Sequence, residues 1–435
     1  MVNMCFSVCL SNHTNIKIYT YFCNKMDFAS FILQHDGDDL GALALSRDRW
    51  TAQIEDFSLA LSTLEVRRKL RGKVPEWVAV PSLRFPLRLS AEQCSSSETA
   101  RYKAGVAAAA CGGRGMRLAD LTGGLGVDSW AFSQRFSEVF YNEMNPALAE
   151  AATWNFRTLG AGNITVRCQE LVPGGLSEVL DGFQADILFV DPARRAADGR
   201  KVFRLEDCQP EVLQLLPELF QTAPRVLLKL SPMADISLVC KQLGSVKAVH
   251  VVAAEGECKE LLLLLERGYA GPYVLTVYEG GAVMSVSGTE DISTGTGNDG
   301  LQEDVRLRWE DGEVPEQAQW LFEPGKALLK AGVFSLPCRY GLAKLSRHTH
   351  LYTAPLPVSA LTPFGKWFRI LEAVPFSNRS VKILGRRYPS AEVTARNLPL
   401  TSEELRAKLG CRSGGPVHIF GCTVGRDRYL LVAAN

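Results

Sequence analysis

With 435 residues, 46% of them apolar, the chain can bury several hydrophobic cores, and its length suggests about two or three domains. Its longest apolar runs, such as Leu261 to Leu265, fall far short of the roughly 20 residues of a membrane helix, so a bilayer-spanning protein is excluded and a soluble, globular one expected. The formal net charge is +1, yet residues 366–435 hold 12 Lys/Arg against 5 Asp/Glu, a basic end that suits a polyanion partner or is simply a solvated face.

The 12 cysteines are scattered without a Cys-x-x-Cys pair, and the six histidines form no ligand cluster, His348 and His350 reading as structural. Reduced thiols, a cytoplasmic setting and no metal site are therefore expected. Residues 1–25 carry Cys5, Cys9 and Cys23, but Asn12, His13 and Asn15 interrupt any signal-peptide core, so this stretch reads as an unstructured extension or a mis-called start. Residues 26–100 read as a helical domain, with an apolar stripe at Phe57, Leu61 and Leu64. The run Arg67, Arg68, Lys69, Arg71 and Lys73 that follows is either an arm for nucleic acid or the solvated end of a helix. The polar stretch 91–104 reads as the capped start of the next helix, with a second reading in which Gln93 and Ser96 lie over a cofactor.

Residues 117–128 carry the strongest signal. Leu118 and Ala119 run into Asp120 and then into Gly123, Gly124 and Gly126, after which Val127, Trp130 and Ala131 take up helical spacing. A strand, a glycine turn and a helix in this order bring bare backbone to a nucleotide-like ligand, or serve only close strand-to-helix packing. The spacing is Gly-Gly-x-Gly rather than Gly-x-Gly-x-x-Gly, and a carboxylate stands three residues before the first glycine. Such a carboxylate repels a pyrophosphate and tolerates a cationic amino-acid ligand, which favours S-adenosylmethionine.

Strand and helix then alternate through residue 270. The strand Val139 to Asn142 ends in Glu143, placed to accept from both hydroxyls of a ribose. Asn145 caps and Pro146 opens a helix that Gly160 ends. Gln169 and Glu170, after the strand Ile164 to Val166, stand where an adenine amino group would meet an acceptor. Ile187 to Val190 ends in Asp191, which the carboxyl edge of a parallel sheet aims at substrate or at the amino end of the cofactor. The loop between Val249–Ala253 and Leu261–Leu265 is too short for a crossover helix, so these two strands are expected to be antiparallel neighbours. Past residue 271 the composition shifts, through a Ser/Thr/Gly-rich stretch at residues 285–300, to short α+β units and a final hairpin around Gly425 to Arg428.

The stretches Glu92 to Lys103, Asp120 to Asp128, Glu143 to Pro146, Asp191 to Arg195, Gly256 to Glu260 and Leu321 to Pro324, with the basic tail, resemble a bacterial family of class I S-adenosylmethionine-dependent methyltransferases. Members carry a ferredoxin-like insert and a C-terminal THUMP-like domain. The resemblance implies an α/β fold with a Rossmann-like seven-stranded sheet, an N-terminal helical region and small C-terminal α+β domains. It divides the chain into residues 101–270 for cofactor binding, 271–355 ferredoxin-like and 356–435 THUMP-like. It also implies S-adenosylmethionine as cofactor and a structured RNA as partner, held by the basic C-terminal domain.

By the class pattern, Asp120, Thr122, Gly123, Gly124 and Gly126 surround the methionine end, Glu143 and Met144 the ribose, and Glu170 the adenine. Asp191 serves cofactor and catalysis, with Arg194 and Lys229 steadying phosphate or developing charge. Ala193 and Arg194 replace a proline and an aromatic of the fourth motif, which argues against an exocyclic amine as target, and Lys229 to Pro232 offers no cysteine nucleophile. A non-catalytic RNA-binding or assembly factor that keeps the cofactor, and a methyltransferase of protein or a small molecule, stay open; a nicotinamide dehydrogenase is disfavoured.

Overall fold

The computed structural model describes residues 25–113, 116–194, 204–286 and 318–434. The N-terminal extension, nearly all of the Ser/Thr/Gly-rich stretch and Arg195 lie outside them. The chain divides into two compact units, residues 1–196 with 206–227 and residues 197–205 with 228–435.

In the first unit, aspartates start the early helices. Asp27, Asp39 and Asp56 each accept a backbone N–H at the head of Phe28–His35, Leu40–Leu45 and Phe57–Leu70. Phe31, Ile32, Trp50, Phe57 and Leu64 bury one core between these helices. The basic run that follows is engaged within the chain, with Arg67 buried and Arg71 still exposed. Arg67 is 3% exposed and donates to the carbonyls of Val78 and Val80 at 2.8 and 3.2 Å. Arg68 donates to the Asp36 carbonyl, Lys69 pairs with Glu92, Arg71 with Asp36, and Lys73 donates to the Glu92 carbonyl. These groups hold the N-terminal helices to one another.

Eleven strands follow in chain order: β1 (Arg117–Asp120), β2 (Glu138–Asn142), β3 (Ile164–Arg167), β4 (Ile187–Val190), β5 (Ala193–Arg194), β6 (Cys208–Gln209), β7 (Arg225–Leu230), β8 (Val246–Ala254), β9 (Glu257–Glu266), β10 (Val274–Glu279) and β11 (Ala282–Val286). The short β5 and β6 pair with each other, and the rest form one nine-stranded sheet in the order β11-β10-β8-β9-β7-β4-β1-β2-β3. Strands β4, β1, β2 and β3 run parallel, and their near-continuous apolar runs, Ile187 to Val190 above all, suit burial on both faces.

Strands β8 and β9 are antiparallel, as their short link required. Glu255 and Gly256, both at positive φ (54° and 75°), make the two-residue turn between them. The order from β3 to β8 is that of the class I methyltransferase sheet. Two further strands extend it: β10 lies parallel to β8 from Val274 opposite Ala248 to Glu279 opposite Ala253, and β11 turns back on β10. Both stand beyond residue 270, where the shift in composition places the end of this sheet; Leu275, Val277 and Val286 are buried all the same.

The C-terminal strands, β12 (Trp320–Pro324), β13 (Ala343–Lys344), β14 (Tyr352–Ala354), β15 (Gly365–Pro375), β16 (Glu392–Arg396), β17 (His418–Val424) and β18 (Asp427–Ala434), form a single sheet in the order β13-β14-β12-β15-β18-β17-β16. The expected hairpin is β17 with β18, antiparallel from His418 opposite Ala433 to Val424 opposite Asp427. Its period-2 pattern sends Phe420, Leu431 and Ala433 into one core and Ile419, Leu430 and Val432 into another. Helices Asn378–Arg387 and Ser402–Leu409 supply Val381, Leu384, Leu405 and Leu409 to the second core. That leaves Arg379, Lys382, Arg386 and Arg387 exposed on the first of these helices.

Candidate active site

The glycine turn between β1 and helix Val127–Ser133 is fixed by two aromatic rings. A Cβ on Gly123 would lie 2.1 Å from a ring carbon of Tyr141, and one on Gly126, at φ +90°, 2.8 Å from Phe156. Gly124, at φ +53°, differs: a Cβ there would meet nothing nearer than the Thr122 carbonyl at 4.0 Å. The turn is therefore packed shut behind Gly123 and Gly126, with open space beside the Gly124 Cα. The Tyr141 hydroxyl donates to the Gly124 carbonyl at 2.6 Å, and Gly123 N–H donates to the Asn142 carbonyl at 2.7 Å.

Hydrogen bonds gather the ends of four strands around this opening. Glu143 accepts from Gly124 N–H through one carboxylate oxygen and from Asn145 N–H through the other, both at 2.8 Å. Asn142 donates to the carbonyls of Leu121 and Gln169, tying the end of β2 to β1 and to the segment after β3. The Asp191 N–H donates to Thr122 Oγ1 at 2.7 Å, joining the end of β4. Asp120, 1% exposed, accepts from Ser129 Oγ at 2.6 Å and Thr122 N–H at 3.1 Å.

Burial, chiefly, pushes the Asp120 carboxyl up to about 7, with the nearby Asp128 and Asp191 adding to the rise and the Ser129 hydrogen bond opposing it. Between its ordinary value and about 7 the folded chain thus holds a proton that the unfolded chain has released, so stability declines with rising pH across that window and levels above it. Asp120→Asn, which keeps the shape, removes the decline. Its melting temperature relative to wild type should climb from pH 5 to pH 7.5 and then stay level in differential scanning fluorimetry; a pH-independent difference would mean that Asp120 is ionised throughout.

Asp120, Thr122, Gly123, Gly124, Gly126, Glu143 and Asp191 are thus linked in one constellation. Met144 is 55% exposed beside it, and Glu170 is exposed. Ser96 caps helix Ser97–Cys111, accepting from Thr99 N–H at 3.2 Å, while Gln93 is exposed at the end of helix Arg88–Gln93. Lys229 is half-buried in β7, in the second unit, and Arg194 pairs through its backbone with Cys208.

Sequence reasoning assigned no role to Tyr141, Asn142 or Ser129, nor to a buried ion pair. Lys103 is fully buried, with Nζ 3.3 Å from Asp128 and 2.9 Å from Ser95 Oγ, which in turn donates to Asp128 at 2.8 Å. Asp128 belongs to the first turn of the helix after the glycines, so this pair ties the preceding helix to that turn. A lysine immediately before the alanine-rich residues 104–110 was the available signal.

Two family matches cover the C-terminal part: a ferredoxin-like domain at residues 320–360 and a THUMP domain-like family at residues 365–434. No curated protein matches the chain in sequence. A crystal structure from Porphyromonas gingivalis W83, provisionally described as a methyltransferase, superposes with a TM-score of 0.77 at 28% identity, over 94% of this chain and 97% of that one. A methyltransferase from Geobacter sulfurreducens aligns over 39% of this chain and 78% of its own at 17% identity and TM-score 0.28. A Pyrococcus horikoshii protein provisionally described as an RNA methyltransferase aligns over 39% and 84% at 14% identity and TM-score 0.29. The chain joins a class I methyltransferase sheet to a ferredoxin-like segment and a C-terminal THUMP-like domain, and in this arrangement it is similar to the Porphyromonas gingivalis structure.

Proposed function

We propose that the chain transfers a methyl group from S-adenosylmethionine to a structured RNA. The observation that carries the reading is the opening at Gly124, backed by the Glu143 carboxylate and flanked by Asp120 and Asp191. Glu143 and Asp191, two acids beside the turn, suit a ligand with a sulfonium and an ammonium group and disfavour a pyrophosphate. Each Glu143 oxygen accepts one backbone N–H and keeps a lone pair for a ribose hydroxyl. The residues therefore fit the cofactor, which supplies the methyl group already activated on sulfur.

What the chain adds is orientation. Asp191, whose backbone N–H donates to Thr122 Oγ1, is assigned to orient the nucleophile and to accept its proton if it carries one. RNA is the substrate class that the THUMP-like domain suggests. The basic residues of 366–435 support it: all but Arg396 and Arg406 are exposed, four of them on helix Asn378–Arg387. Neutralising several phosphates gives binding a steep inverse dependence on salt.

Isothermal titration with S-adenosylmethionine tests the site. Glu143→Ala should weaken binding at least tenfold, because it removes both the ribose acceptor and the clamp on Gly124; unchanged affinity would remove Glu143 from the site. In parallel, affinity for RNA should fall by an order of magnitude or more between 50 and 200 mM salt, on the scale of several phosphate contacts. A flat salt response would favour a protein or small-molecule substrate.

A further inference from the structure

Within the second unit a cleft of about 230 Å³ opens among Glu323 and Pro324 at the end of β12, His348 to His350 before β14, and Arg396 and Asn397 at the end of β16. In the sheet β12 and β16 stand four places apart, so the sheet curls far enough for Arg396 to reach across and donate to Glu323 at 2.8 Å. The walls are pinned. Thr349, 1% exposed, donates to the Thr423 carbonyl at 2.7 Å, and Thr423 Oγ1 donates to the Asn397 carbonyl at 2.6 Å.

Two features mark the cleft as built rather than left over. His350 and Asn397, both non-glycine, are held at φ +50° and +54°, a conformation that costs free energy and persists only where its surroundings impose it. The His350 ring stacks on Phe334 with centroids 3.8 Å apart, and its Nδ1 is buried without a hydrogen-bond partner. A buried, unsatisfied polar nitrogen is unfavourable in the free protein and is relieved by a ligand that bonds to it.

Arg396 and Glu323 offset one another's charge within the cleft, and Lys344 adds a cation near His350. Glu323, its acid, is committed to Arg396, and His348 is exposed beside them. Burial, chiefly, pushes His350 down to about 4, with the nearby Lys344, His348 and Arg396 adding to the fall. At roughly 30 Å³ of liquid volume per water, the cleft has room for about seven waters, more than a lone phosphate fills. Pro324 and Leu329 add an apolar wall and Asn397 an amide. An anionic group joined to a flat, polar-edged ring matches this lining.

We propose that this cleft takes one nucleotide of a single-stranded RNA segment, its phosphate on Arg396 and His348 and its base against Pro324 and Leu329. The proposal rests on the RNA reading above and names a place for that RNA which the basic helix face alone does not.

The test uses the full-length protein, a fluorescein-labelled single-stranded RNA 12-mer of mixed sequence, and AMP. Binding is read by anisotropy, and acylation of His348 by diethyl pyrocarbonate is read by mass spectrometry. Arg396→Gln should weaken RNA binding about tenfold and His348→Ala severalfold, and the RNA should protect wild-type His348 at concentrations where AMP does not. His348→Ala removes an exposed side chain, so it reads the cleft even if Arg396→Gln folds poorly.

RNA bound equally by both variants, with His348 still acylated, would overturn the cleft and leave the RNA reading intact. No RNA binding by wild type would overturn both. Protection by AMP without RNA binding would reassign the cleft to a free nucleotide and so overturn the proposal, as would protection of His348 by an acidic peptide but not by RNA.

Discussion

Lys103→Met is expected to cost about 3–5 kcal/mol of stability, the range for removing one partner of a buried ion pair. Lys103 is fully buried, and without its ammonium group Asp128 would keep its charge beside Ser95 with nothing to offset desolvation. The loss should be local. Hydrogen exchange in helices Ser97–Cys111 and Val127–Ser133 should accelerate, because the pair joins them, while β17 and β18 exchange as in wild type. Replacing the partner as well, in Lys103→Met with Asp128→Leu, should recover part of the loss, since no charge is then left stranded. A single variant that costs less than about 1 kcal/mol, the worth of an exposed pair, would show that water reaches this site.

Gly123→Ala is expected to be the most damaging change in the glycine turn. The added methyl would fall within 2.6 Å of three Tyr141 ring carbons. That ring cannot step aside: Tyr141 is fully buried, its hydroxyl is bonded to the Gly124 carbonyl, and it packs edge-on against Phe156 at 5.3 Å. Overpacking of this kind costs about 1–3 kcal/mol and displaces the backbone that carries Gly124 and Glu143. Affinity for S-adenosylmethionine should fall more than tenfold together with the melting temperature. Gly124→Ala separates the two effects. It meets open space and costs only the φ > 0 penalty, about 1–2 kcal/mol, but sets a methyl where the ligand approaches. Wild-type melting and binding by Gly123→Ala would refute this account of the turn.

Legibility followed the range of the interactions. Strand, glycine turn and helix at residues 117–133, the acids at the ends of β1, β2 and β4, and the reversed β9 could all be read because each is written in local periodicity or link length. Residues whose roles depend on distant partners could not. Arg67 looks like part of a solvated run until Val78 and Val80 are brought to it. Tyr141 looks like an ordinary strand aromatic until Gly123 packs against its ring. Ser96 could be read locally, and its helix-capping role is the one the structure displays. The extension of the sheet by β10 and β11 was hidden because the polar stretch that follows them dominated the change in composition.

The central claim is that this chain moves a methyl group from S-adenosylmethionine to RNA, and turnover tests it most directly. The measurement is transfer of labelled methyl from S-adenosylmethionine into total RNA and, separately, total protein, each prepared from cells lacking this gene, with material from the parent cells as the already methylated control. Label is expected in RNA from the deletion cells, with little in RNA from the parent, and transfer is expected to be lost in Asp191→Ala. Label entering protein instead, or neither pool despite measurable cofactor binding, would contradict that claim.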